Sequence, residues 1–131
     1  MSSIQKDSNF LENYLNDISS IIRPNKNIIK NLIQVRDFFL RTSKKKGKIL
    51  IFGNGGSAAI ASHVSVDLTK NAKIRAVNFN ESDLITCFSN DYGYERWIEK
   101  AVDFYADKND LLVLISSSGK SKNMINACKA A

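Results

Sequence analysis

Apolar residues recur at helical intervals along the first forty positions. Phe10, Leu11, Tyr14, Leu15, Ile18, Ile21 and Ile22 share one face of a helix over residues 10–22. Pro24 interrupts it. Ile28, Ile29, Leu32, Ile33, Phe39 and Leu40 then set out a second helix. At Lys48 the pattern changes. KILIF is a short, β-branched apolar run that stops at Gly53, as a buried strand does. A helix is expected from Ser57 to Lys70, a strand over IRAVNF (74–79), and a helix through LITCFSN capped by Ser82 and Asp83. Another helix starts near Tyr94, with Trp97, Ile98, Ala101, Val102 and Tyr105 on one face. The strand LLVLI follows Asp110, and a last helix runs from about Ser121.

Strands alternating with helices give an α/β domain with a parallel sheet, preceded by an N-terminal helical hairpin. One domain is expected over 1–131, with helices in 1–46 and the α/β core in 47–131. The two opening helices carry more apolar face than one sheet surface needs. The surplus suits another subunit, although covering the sheet is the simpler use. Only three strands are evident, and the last helix reaches Ala130 and Ala131 without a cap. The chain therefore reads as the front part of a longer, C-terminally truncated domain.

Composition narrows the class. The 131 residues are 44% hydrophobic and 24% charged, as in ordinary globular domains. No apolar run approaches the roughly 20 residues of a membrane span. MSSIQKDSNF has no apolar signal region, so a cytoplasmic location is the default. Cys87 lies in an apolar context and reads as a core residue; with Cys128 it makes two reduced structural thiols. The net charge of +6 is partly local to RTSKKKGK, 41–48. That run has no interleaved aromatics, which argues against nucleic acid and leaves a small anionic ligand.

Two strands end in unusual turns. GNGGS, from Gly53, lets backbone N–H groups approach a ligand beneath a helix N-terminus. Gly53, Gly55 and Ala58 satisfy a loose dinucleotide fingerprint, but the expected acid appears only after the second strand, as Glu81. ISSSGKS (115–121) ends like a nucleotide-triphosphate loop, yet Leu114 stands where that motif needs glycine. Three hydroxyls, Ser116 to Ser118, and Ser121 at a helix mouth remain. Serines are common in turns; beside a second glycine-rich strand end, a phosphate cradle is the better reading. His63 and Asp67 are four residues apart and share a helix face. Spacing alone leaves them a surface histidine and an ordinary acid.

Three blocks, GNGGSAAIASHVSVDLTK (53–70), SNDYGYE (89–95) and ISSSGKSKN (115–123), resemble the sugar isomerase (SIS) domain family, and within it the phosphoheptose isomerases. The resemblance covers the chain from about Lys48 onward. It implies a flavodoxin-like three-layer αβα fold and a homotetramer with sites between subunits. It also implies conversion of sedoheptulose 7-phosphate to an aldoheptose 7-phosphate for surface polysaccharide. Carried over by position, Asn54, Gly55, Gly56 and Ser57 line the substrate site, and Asn90 and Asp91 contact the sugar. Ser116, Ser117, Ser118 and Ser121 hold the phosphate. His63 matches a zinc ligand, and Asp67 the acidic base and second ligand. The family's residue at 67 is glutamate, one methylene longer. Lys70 and Asn71 stand where an arginine is usual. The family's other zinc ligands and its acid, a glutamine and a histidine, lie beyond residue 131. Some relatives bind sugar phosphates without turnover, or associate with the replication initiator DnaA. Asp67 keeps that non-catalytic alternative open. Tyr92, Tyr94 and Trp97 are expected in a core or an interface.

Overall fold

A computed structural model describes residues 3–131. The chain forms two compact units, one running through Val35 and the other from Arg36 to Ala131. In the first, α1 spans Ser3–Ile21, and α2 (Lys26–Lys44) begins after the turn at Pro24. The sequence pattern placed the first helix at 10–22. Its polar opening turn carries no burial signal, yet the backbone is helical there, and Gln5 Nε2 donates to Asn9 Oδ1 at 3.1 Å. No residue of α1 is buried, and Phe10, Leu11, Leu15, Ile29 and Leu32 are exposed.

The second unit holds a three-stranded parallel sheet in the order β2-β1-β3, made of β1 (Ile49–Gly53), β2 (Ala76–Val77) and β3 (Leu111–Ile115). Four helices connect and follow these strands: α3 (Gly56–Lys70), α4 (Ser82–Tyr92), α5 (Trp97–Tyr105) and α6 (Lys122–Ala130). β1 is central and buried at every position, which is why KILIF reads as a continuous apolar run. Its alternate residues feed two cores. Leu50 and Phe52 pack with Trp97, Ile98, Ala101, Met124 and Ala127 on one face. Ile49 and Ile51 pack with Ala61 and Ile74 on the other, where Phe39 and Leu68 add cover. Phe52 is the pivot of the first core, stacked on Phe79 at 5.4 Å and edge-on to Trp97 at 5.8 Å. Helices thus cover both sheet faces, in three layers.

Several expectations need correction. The strand over 74–79 shortens to Ala76–Val77, because the asparagines beyond it bond to α3 instead of to β1. Asn78 Nδ2 donates to Ser65 Oγ at 2.9 Å, and Asn80 Nδ2 to Ser62 Oγ at 2.7 Å. Glu81, not Ser82 or Asp83, is the N-cap of α4, and no side chain caps it. That helix also runs further than LITCFSN and stops only where Gly93 turns at φ 86°. Asn90 and Asp91 therefore sit in its last turn and not between helices. α5 begins at Trp97, since residues 93–96 form a turn closed by the Arg96 N–H to the Gly93 carbonyl at 2.9 Å. Cys87 is exposed on the flank of α4, while Leu84, Ile85 and Phe88 take the core-facing positions. Cys128 is exposed as well, and both thiols are free.

Candidate functional site

The strand order reverses at β1, with β2 on one side and β3 on the other. In open parallel sheets the crevice beyond such a reversal is where ligands bind. The last register pair is Gly53 with Ile115, so the glycine-rich and serine-rich turns leave the sheet side by side. The two turns that sequence singled out share one rim.

Gly53 cannot be anything larger. A Cβ there would lie 2.2 Å from the Ser57 carbonyl oxygen, because the first turn of α3 folds directly over the strand end. Gly55 takes φ +53°, a left-handed value that glycine adopts without strain. Of the first N–H groups of α3, those of Ser57 and Ala58 return to the Asn54 and Gly55 carbonyls at 3.0 and 2.9 Å. The open Gly55–Gly56 tip thus lies at the positive end of α3.

Across the crevice, Ser121 is the N-cap of α6, and Gly119 turns at φ +63°. Ser116 Oγ accepts the Gly119 N–H at 3.1 Å, and Ser118 Oγ accepts the Lys120 N–H at 3.2 Å. Both hydroxyls therefore shape their own turn, as the simpler reading of serine requires. A hydroxyl that accepts still has its hydrogen to donate, so shaping the turn and holding an anion are compatible.

Side chains tie the two turns together. Asn54 Nδ2 donates to Asn123 Oδ1 at 3.1 Å, and Asn123 Nδ2 donates back to Asn54 Oδ1 at 2.9 Å. The Tyr94 hydroxyl adds a third bond, to Asn54 Oδ1 at 3.2 Å. Glu95 continues the link by pairing with Lys122 Nζ at 2.8 Å and accepting Asn126 Nδ2 at its carbonyl, 2.9 Å. The hydrogen bond to the Glu95 carboxylate and its charge hold the Lys122 ammonium above lysine's usual pKa. The block SNDYGYE thus reaches the rim through Tyr94 and Glu95. Asn90 and Asp91 bond to each other at 2.9 Å, and Cys87 Sγ lies 3.8 Å from the other Asp91 oxygen. Trp97 is in the core as expected, whereas Tyr94 is exposed and bonded to the glycine turn.

His63 and Asp67 stand on the exposed face of α3, Nε2 to Oδ2 at 3.6 Å. Asp67 Oδ1 also accepts Asn71 Nδ2 at 3.1 Å. At 1.5 Å of rise per residue, Asp67 lies about 16 Å along the axis from Gly56. The pair could supply two of the four ligands of a tetrahedral zinc site. Among the described residues no cluster of three or more His, Cys, Asp or Glu could hold a metal. This donor set therefore does not fit a complete zinc centre.

The model of the SIS domain matches residues 13–131. The chain belongs to the SIS domain family. Within it, the chain is 42% identical over 98 residues to a phosphoheptose isomerase of Aliarcobacter butzleri, covering 70% of this chain and 52% of the relative. It is 31% identical over 129 residues to phosphoheptose isomerase 1 of Campylobacter jejuni, covering 94% of this chain and 69% of that protein. The solved phosphoheptose isomerase of Neisseria gonorrhoeae superposes with a TM-score of 0.85 at 32% identity, over 95% of this chain and 68% of the other. The chain spans about half the length of several relatives it matches. The α/β fold with its parallel sheet and leading helices is that of phosphoheptose isomerase homologues.

Sequence reasoning missed Asn123. It closes the block ISSSGKSKN, but nothing in a lone helical asparagine announces a partner 69 positions away.

Proposed function

We propose that this chain carries the sugar-phosphate site of an aldose–ketose isomerase, with sedoheptulose 7-phosphate as substrate. The observation that carries the reading is the adjacency of the glycine-rich and serine-rich turns at the β1/β3 reversal. Ser116, Ser117, Ser118 and Ser121 take the phosphate, helped by the N-terminus of α6. Gly55, Gly56 and Ser57 line the opposite wall beside Asn54, and Asn90 and Asp91 stand at the sugar's flank. Asp67 stands about 16 Å along α3 from Gly56, more than one extended heptulose phosphate spans, so it serves a sugar held at the rim of a neighbouring subunit in the proposed homotetramer.

The chemistry moves one proton between neighbouring carbons. Asp67 takes the proton from the carbon beside the carbonyl, giving an enediol, and returns it to the former carbonyl carbon. A proton donor must protonate the carbonyl oxygen as the enediol forms, and the neighbouring hydroxyl must give up its proton as the carbon is reprotonated, so that the aldose end leaves neutral. His63 is the chain's one histidine; its Nε2 faces Asp67 Oδ2 at 3.6 Å and orients that carboxylate. The domain reading over 1–131, assembly into a homotetramer and a cytoplasmic setting complete the proposal. No helix among the described residues is long and apolar enough to cross a membrane.

A second reading, sugar-phosphate binding without turnover, is favoured by one feature. Asp67 is tied to Asn71 on an open helix face. Incubating the chain with sedoheptulose 7-phosphate and following the aldose by NMR separates the two. Binding with aldose supports the isomerase, binding without it supports the second reading, and no binding ends both.

A further inference from the structure

One side chain outside the expected set sits where the two turns meet. Asn123, the second residue of α6, is 2% exposed. Its amide faces that of Asn54 in a two-way pair at 3.1 and 2.9 Å, and its Oδ1 also accepts the Met124 N–H at 3.0 Å. The Met124 N–H is shared with the Ser121 carbonyl, also at 3.0 Å. An asparagine amide offers two hydrogens and two lone pairs. With Asn123 and Tyr94 both on it, Asn54 Oδ1 has no lone pair left, and Nδ2 keeps one hydrogen. The Asn54 side chain is therefore locked toward α6, with at most one N–H to spare for a ligand.

We propose that Asn123 is a positioning residue of this site. Through Asn54 it sets the spacing between the turn after β1 and the turn after β3, and with it the fit of the phosphate end. It touches no substrate itself. The sheet register brings the strand ends together, but both turns contain glycines at positive φ, and backbone of that kind does not hold its own shape. The half-buried amide pair supplies the constraint between them, because removing one amide takes two hydrogen bonds from the other in a partly desolvated place. The proposal rests on reading the rim as a phosphate site, and the test keeps the two apart.

Asn123→Ala and the nearly isosteric Asn123→Leu are compared with the unaltered chain, alone and combined with Asn54→Ala. Calorimetry with inorganic phosphate and with sedoheptulose 7-phosphate gives affinity. Hydrogen exchange of the Gly55, Gly56 and Gly119 amides, against those of Leu50 and Val113 in the strands, reports the turns without any ligand. The expected result is about tenfold weaker binding in both Asn123 variants, faster exchange confined to the turns, and a double variant no weaker than Asn54→Ala alone. General destabilisation would quicken the strand amides too and make the losses add. Unchanged affinity, unchanged turn exchange or additive losses would each overturn the assignment of Asn123. An unaltered chain that binds neither compound would overturn the phosphate reading itself and the positioning role with it. Turn exchange would then still record whether the clasp orders the loops.

Discussion

Two acids compete for one lysine at the opposite rim of the sheet, and they should differ sharply in worth. Lys48 Nζ lies 2.7 Å from Asp107 and 2.5 Å from Asp110. The Asp107 side chain is 81% exposed; that of Asp110 is 5% exposed and Lys48's is 18%. Asp110 also accepts the N–H groups of Lys48 and Asp107, each at 2.8 Å, and so ties the start of β1 to the turn before β3. Asp110→Ala removes three bonds and leaves a mostly sheltered ammonium with the exposed Asp107 as its one ion-pair partner. Breaking a fully buried pair costs about 3–5 kcal/mol. Water reaches the lysine and the Asp107 N–H, so about 2 kcal/mol is expected here. Asp107→Ala removes one exposed contact and should cost no more than about 0.5 kcal/mol. In urea unfolding, where the slope is about 1–3 kcal/mol per M, the first variant lowers the midpoint by about 1 M and the second barely moves it.

The pH dependence of this clamp carries its own sign. Burial raises the Asp110 pKa, but the Lys48 ammonium and the two N–H groups outweigh it and hold the carboxyl below its usual value. Burial lowers the Lys48 pKa, and its two carboxylate partners more than restore it, leaving it above the usual lysine value. Asp110 therefore stabilises above its unfolded pKa, and that contribution fades as pH falls through the lowered folded value. Lys48 stabilises below its unfolded pKa and loses its contribution as pH rises through the raised one. Full strength lies between about pH 5 and about pH 9. The gap between the unaltered chain and Asp110→Ala should narrow toward acid. Equal losses for the two aspartate variants, or a gap that widens below pH 4, would refute this account of the clamp.

Three further outcomes are expected at the site. Gly53→Ala forces a methyl against the backbone of Ser57 and Ala58, so it should lose about 3 kcal/mol in urea unfolding and weaken phosphate binding with it. Ser118→Ala leaves the Lys120 N–H unpaired and removes one donor to an anion, which should weaken phosphate affinity in calorimetry about tenfold. Asp67→Ala should abolish aldose formation in an NMR assay while phosphate affinity changes less than about twofold, since Asp67 lies about 16 Å along α3 from Gly56.

The order of elements could be read from the chain itself. β1 and β3 are unbroken apolar runs; β1 is buried at every position and β3 half-buried at each, so neither shows an alternating pattern. The glycines of GNGGS and the serines of ISSSGKS marked the strand ends for the same local reason, that turns need particular backbone freedom or side-chain acceptors. Where local signals conflicted with distant partners, the distant partners won. IRAVNF kept only two ladder residues because Asn78 and Asn80 found hydroxyls on α3. Tyr94 and Glu95 left the helical pattern to reach Asn54 and Lys122. Cys87 lies in an apolar string, yet helical geometry turned it to the surface while its neighbours faced the core. The sequence by itself determined that one strand ends in a glycine-rich turn and another in a serine-rich one, and that His63 and Asp67 share a face. Only the tertiary structure decided that the turns meet, because parallel pairing of β1 with β3 joins residues some sixty positions apart. It also decided that Asn54 faces Asn123, since no local spacing encodes a bond between two amides carried on different layers of the fold.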